Sequence, residues 1–174
     1  GLSSKVESSK DFTIVSNIVQ VTPSRGSVGT IVNVLGTGYE NSELIKVDFG
    51  TTASITTTTS SVYGMVSISF TIDTQVSGTT TVVVIGLQSN ESSGSSFIIS
   101  GNIVSITPTR ATVGTVVSLL GNGYGADEVV DINFGKTLPI TTITTGINGL
   151  FSTIFTVDVQ KCGTTTMSAI GRIS

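Results

Sequence analysis

FTIVSNIVQVTP (residues 12–23) returns as FIISGNIVSITP (residues 97–108), a spacing of 85 residues from Phe12 to Phe97 and from Pro23 to Pro108. An internal period of this kind settles the architecture before any single residue does. Working outward, the same step carries Gly36 to Gly121, Tyr39 to Tyr124, Phe49 to Phe134, Phe70 to Phe155 and Ile85 to Ile170 without a slip. Even Gly1 and Leu2 fall on Gly86 and Leu87. A chain of 174 residues with such a period is expected to form two small tandem units rather than one large one.

Each unit reads as strands. Residues 18–22, 28–35, 44–49, 65–72, 80–87 and 97–99 are apolar or alternating runs, bounded by Pro23, Gly36, Gly50, Gly78 and Ser/Thr clusters. A short edge strand is expected around Ile55, in the Thr-rich stretch 51–61. Only 11% of the residues are charged, against about 25% in ordinary soluble domains. Thr, Val and Ile suit a pleated sheet, whereas the common helix formers are scarce. Seven short strands in the first unit, and the same set without its last strand in the second, with turn signals between them, predict two-sheet sandwiches. The expected fold is therefore all-β, two tandem sandwiches at residues 17–101 and 102–174, preceded by a linker and strand at residues 1–16.

The composition also excludes function classes. A net charge of −3 gives no positive stripe for phosphates, so nucleic acid is not expected as a partner. Apolar runs such as residues 82–85 are too short to cross a bilayer as a helix. With no histidine, the usual Ser or Cys nucleophile arrangements are missing, and no enzyme is expected. The glycine-rich turns GTGY (36–39) and GNGYG (121–125) are each followed by a strand, whereas phosphate loops need a helix N-terminus there. Tight turns with Tyr39 and Tyr124 packed over the sandwich end explain them better.

Three weaker features remain. Asp127, Glu128 and Asp131 are carboxylates of the type that calcium takes, though without the spacing of a dedicated calcium loop. A solvated loop face is the plainer expectation, and no cofactor is required. Asn90-Glu91-Ser92 fits the acceptor pattern for N-linked glycans. The single cysteine, Cys162, occupies the position of Ser77 and reads as a small residue at a strand edge. An intermolecular disulfide or reactive thiol is the alternative.

The runs NIVQVTPSRGSVGTIVNVLGTGYENSELIKVDFG (17–50) and NIVSITPTRATVGTVVSLLGNGYGADEVVDINFG (102–135), with GMVSISF (64–70) and GLFSTIF (149–155), resemble the IPT/TIG-type immunoglobulin-like domain. Thr-rich, acidic tandem arrays of that pattern are similar to prokaryotic surface-layer, adhesin and appendage proteins. The resemblance implies an immunoglobulin-like sandwich at the cell surface. The related DNA-binding domains rely on basic loops, which eight Lys and Arg in all do not supply.

The phase of the repeat carries the functional expectation. Phe12, Thr13, Ile14 and Val15 repeat a strand that belongs to the end of a unit, yet no unit stands before them. The second unit in turn has no counterpart of residues 97–99, leaving Met167, Ala169 and Ile170 as an open acceptor edge. An unpaired edge is a template for another chain. Donation of 12–15 to the second unit of the next copy would give a head-to-tail homopolymer, with Ser16 and Asn17 as the hinge. The alternative is a piece of a longer surface-layer or adhesin array, acting as a spacer or ligand-binding module. Both readings are extracellular.

Overall fold

The computed structural model describes residues 9–173; residues 1–8 of the expected linker, and Ser174, lie outside the described residues. Every regular element among the described residues is a strand. The first set is β1 (Asn17–Thr22), β2 (Arg25–Gly26), β3 (Ile31–Thr37), β4 (Leu44–Phe49), β5 (Thr52–Thr59), β6 (Val66–Thr71), β7 (Gly78–Gly86) and β8 (Ser92–Ile99). The second set is β9 (Asn102–Thr107), β10 (Val116–Asn122), β11 (Val129–Phe134), β12 (Thr137–Thr144), β13 (Phe151–Thr156) and β14 (Met167–Gly171). The chain is thus all-β, two tandem sandwiches of the immunoglobulin-like kind.

In the first set, β1-β3-β6 form one sheet and β2-β8-β7-β4-β5 the other. All pairs are antiparallel except β2 with β8, which runs parallel from Arg25↔Ile98 to Gly26↔Ile99. Alternation does the sorting: Val32 and Val34 on β3, Ile45, Val47 and Phe49 on β4, and Val82 and Val84 on β7 all point inward. Phe97 and Ile99 of β8 join them, and Phe97 meets Phe49 edge-to-face with ring centroids 5.5 Å apart. One continuous core results.

The second set repeats this plan with β13-β10-β9 and β12-β11-β14. Here the fully buried residues fall into two groups, with half-buried Ile106, Ile140 and Met167 packed against both. Leu119, Tyr124, Val130, Ile132 and Phe151 form one cluster, while Val117, Phe155 and Val157 form another. The two halves diverge where the first has β8. Among the described residues β14 pairs with β11 alone, whereas its twin β7 lies between β4 and β8. Arg110 and Ala111, the twins of the β2 residues, are not in a strand. Residues 163–166 are also irregular, although their twins 78–81 begin β7. A backbone that lacks a neighbour to exchange hydrogen bonds with has little reason to stay extended.

Several boundaries differ from the sequence-based expectation. The edge strand around Ile55 runs from Thr52 to Thr59, because β4 pairs with Thr56–Thr59 and, across a bulge, with Thr52. Residues 92–95, between the expected strands at 80–87 and 97–99, are strand as well, since β8 starts at Ser92 and pairs with β7 from Ile85 onward. The expected strand at 12–15 is irregular and exposed, with no neighbour strand to pair with among the described residues.

Candidate assembly site

The site is best built from the half in which it is filled. Phe97 is 0% exposed, and the β8 backbone bridges two elements. On one side it exchanges hydrogen bonds with β7, from Gly78↔Ile99 to Ile85↔Ser92. On the other, the N–H of Ile98 donates to the Ser24 carbonyl at 3.1 Å, and that of Ser100 to the Gly26 carbonyl at 3.0 Å. Phe97 and Ile99, two apart, face the same side and close the core.

The matching region of the second half is an open groove of about 1020 Å³. Its apolar floor includes Ile106, Val117, Phe134, Phe155, Val157 and Met167. Phe134 and Phe155 lie 5.3 Å apart between centroids, and Phe134, the twin of fully buried Phe49, is only partly covered. Met167 and Ala169 are half-buried where their twins Val82 and Val84 are fully buried. Ile170 is exposed. These three pair through β11 with Phe134, Ile132 and Asp131. Cys162 is a free, exposed thiol on the rim of the same groove.

Phe12, Ile14 and Val15 sit at the other end of the described chain. They are 88%, 73% and 64% exposed, and Thr13 is exposed as well. Order begins one residue later. Ser16 is buried, its N–H donates to the Glu91 carboxylate at 3.3 Å, and the N–H of Ile18 donates to the Ser93 hydroxyl at 2.8 Å. The expected hinge at Ser16 and Asn17 is therefore anchored to the first half, and the free segment ends at Val15.

The carboxylates weighed for calcium turn to different partners. Glu128 is fully buried and accepts from the N–H groups of Gly125 and Ile173. Its twin Glu43 accepts from the N–H groups of Glu40, Gln88 and Ser89 and from the Ser89 hydroxyl. Burial by itself would raise the Glu43 pKa, but the donors from Ser89, Glu40 and Gln88 hold it below the ordinary carboxylate value. Asp131 forms a bidentate pair with Arg172, at 2.8 and 3.0 Å, and Asp127 sits in a turn with φ 51°. No group of His, Cys, Asp or Glu among the described residues is arranged to hold a metal. The sequence could have signalled the role of Glu43 and Glu128, since both precede an apolar strand at the same phase of the repeat.

The two tyrosines pack as expected. Tyr39 and Tyr124 are buried, and their hydroxyls donate to the carbonyls of Val84 and Ala169, each at 3.3 Å. Burial, with Glu43 and Glu91 nearby for Tyr39 and Glu128 for Tyr124, raises both phenol pKa values. Asn90 is exposed, with φ 59°, just before β8.

No family model matches the chain, and no curated protein matches it. Solved structures give distant likenesses. The D0-D1 domain of intimin is 12% identical over 92% of this chain and 93% of that one, with a TM-score of 0.38. A Ca²⁺-stabilized adhesin that helps an Antarctic bacterium bind ice is 14% identical over 92% of this chain and 48% of that one, with a TM-score of 0.37. The human OSCAR ligand-binding domain is 8% identical over 85% and 84%, with a TM-score of 0.34. Likenesses this distant carry no argument about what the chain does.

Proposed function

We propose that this chain is a non-enzymatic structural subunit of an extracellular filament or surface lattice. Its units are residues 17–101 and 102–174, related to the IPT/TIG-type sandwich, and residues 1–16 form the linker and donor strand. Residues 12–15 of one copy complete the second unit of the next, so the polymer grows head to tail. The observation that carries this reading is a pair of matching shapes: an apolar groove at the place β8 fills in the first half, and an exposed copy of the β8 sequence at Phe12 and Ile14.

The β7–β8 register gives the docked register by a shift of one repeat. Gly78↔Ile99 and Thr80↔Phe97 become Gly163↔Ile14 and Thr165↔Phe12. The parallel pair Arg25↔Ile98 becomes Arg110↔Thr13. Main-chain hydrogen bonds supply affinity, and the two apolar side chains supply fit. Burying each of them contributes about 1.5–3 kcal/mol. Only two residues, Ser100 and Gly101, separate β8 from β9 within the chain, and Val15 and Ser16 separate Ile14 from β1 in the same way. The contact between copies then repeats the contact between halves, and a contact of this heterologous type does not close on itself.

Deleting residues 1–16 tests the reading by electron microscopy: polymers are expected from the full chain and none from the shortened one. Normal filaments from the shortened chain would sink it. The short covalent link from β8 to β9 also favours a second reading, in which the chain belongs to a longer array and its own continuation fills the groove. The intact mass of the native subunit separates the two. A value near 17.8 kDa supports donation between copies, and a much larger one supports the array.

A further inference from the structure

Each half contains the same constellation of a hydroxyl, a carboxylate and a carboxamide, and in the second half the carboxamide, Gln160, also lines the groove. In the first half the Thr52 hydroxyl donates to Asp73 Oδ2. Gln75 Nε2 lies 3.1 Å from Thr52 Oγ1 and donates to Asp73 Oδ1 at 2.9 Å. Gln75 Oε1 accepts from the Thr51 N–H at 3.3 Å and from the Thr51 hydroxyl at 3.1 Å. In the second half Thr137 donates to Asp158 Oδ2, and Gln160 Nε2 lies 3.4 Å from Thr137 Oγ1 and 2.8 Å from Asp158 Oδ1. The N–H of Lys136 donates to Gln160 Oε1 at 3.3 Å.

These are the parts of an acyl-transfer site. A hydroxyl is activated by an adjacent base, and donors sit where negative charge will develop on a carbonyl oxygen. The surroundings are built to match. Gln75 is 5% exposed. At Gly50, with φ 55°, a Cβ would lie 2.6 Å from Gln75 Oε1, and at Gly135, with φ 57°, 2.5 Å from Gln160 Oε1. A side chain at either glycine would push the carboxamide out of this position. The hydrogen bonds from Thr137 and Gln160 also hold the Asp158 pKa down, which keeps its carboxylate in the proton-accepting form.

We propose that Thr52 with Gln75, and Thr137 with Gln160, form intramolecular ester cross-links, with Asp73 and Asp158 as the proton carriers. A small adjustment of the Thr52 χ1 and of the earlier Gln75 torsions brings Thr52 Oγ1 over the carboxamide plane to Cδ and leaves Oε1 beside the Thr51 donors. Asp73 takes the hydroxyl proton as Thr52 Oγ1 bonds to Gln75 Cδ, and the oxyanion rests on the Thr51 donors. The protonated Asp73 then passes that proton to Nε2, the C–N bond breaks, and ammonia leaves. A hydroxyl and a carboxamide become an ester and ammonia, with no oxidant, reductant or water consumed. Two fixed groups react far faster than the same groups free in solution. Each bond joins the first residue of β5 or β12 to the loop after β6 or β13, so it ties together the two sheets of its sandwich.

The test is the intact mass of the folded full chain, followed by peptide mapping. Each ester lowers the mass by about 17 Da through loss of ammonia, so a deficit of about 34 Da is expected. Mapping should recover peptides joined at Thr52–Gln75 and Thr137–Gln160, and hydroxylamine should separate them. A deficit of about 17 Da mapped to one half supports that half and overturns the proposal for the other. Asp73→Asn with Asp158→Asn should restore the full sequence mass. A wild-type mass equal to the sequence mass overturns the proposal. So does a deficit that persists in Thr52→Val with Thr137→Val, since loss of ammonia at an asparagine would give the same shift without the hydroxyls.

Discussion

Phe12 and Glu43 make opposite demands on their surroundings. Phe12 is 88% exposed, so Phe12→Asp removes nothing that either half needs. Stability of the separate chain should change by no more than about 0.5 kcal/mol, while joining between copies is lost because a carboxylate cannot enter the apolar groove. Thermal melting and electron microscopy of the one variant check both sides of that statement. The buried Glu43 carboxylate holds three backbone N–H groups, of Glu40 before β4 and of Gln88 and Ser89 after β7. Truncation to alanine leaves those donors unpaired and should cost about 1–3 kcal/mol, read by denaturant unfolding of the first half. Its pKa is lower in the folded chain than the 4.5 of a free side chain, so its contribution is fully present above that value. As the pH falls toward and through the folded-state value, protonation removes that contribution. Unfolding midpoints in a series of buffers running downward from pH 4.5 should fall for the wild type and stay flatter for Glu43→Gln.

Among the elements, β14 has an open side, because among the described residues it pairs with β11 alone. A synthetic peptide of residues 9–17 supplies the missing neighbour in trans. At one hundred times its dissociation constant it should stabilise the second half by about 2.7 kcal/mol, and a Phe12→Asp peptide should do nothing. No rise in melting temperature with the wild-type peptide would argue that the groove takes some other segment. Much of this was legible in the sequence, because strands announce themselves by alternation and the 85-residue step fixed which strand each residue joins. The strand at 12–15 was readable only as a pattern. Extended structure needs a partner, and its pattern matches a sheet that it does not join within the described chain. The long β5 was underestimated because a run of threonines has no alternation, and only pairing with β4 reveals its length. The Thr–Asp–Gln constellations went unread for a related reason. Residues 52, 73 and 75 are brought together by the two sheets facing each other, and no local spacing predicts that.

Across the whole molecule, the fully covered core of the first half and the partly covered core of the second, where Phe134, Met167 and Ala169 are only half-buried, predict unequal stability. Calorimetry of the separate chain should resolve two transitions, the lower one belonging to the second half, and polymer formation should raise that one selectively. A single transition unaffected by assembly would count against strand donation. The ion pairs Lys46–Asp48 and Arg172–Asp131 involve partly exposed side chains, so salt should move these transitions little. The open groove has one more consequence under the donation reading. A fibre built from this contact is an arrow: one tip always presents an empty seat and the other a loose strand. The two tips differ in chemistry, so elongation, capping and anchoring can each be confined to a single end. A short peptide with the sequence of residues 9–17 would then act as a chain terminator at the seat-bearing tip and leave the opposite tip free to grow.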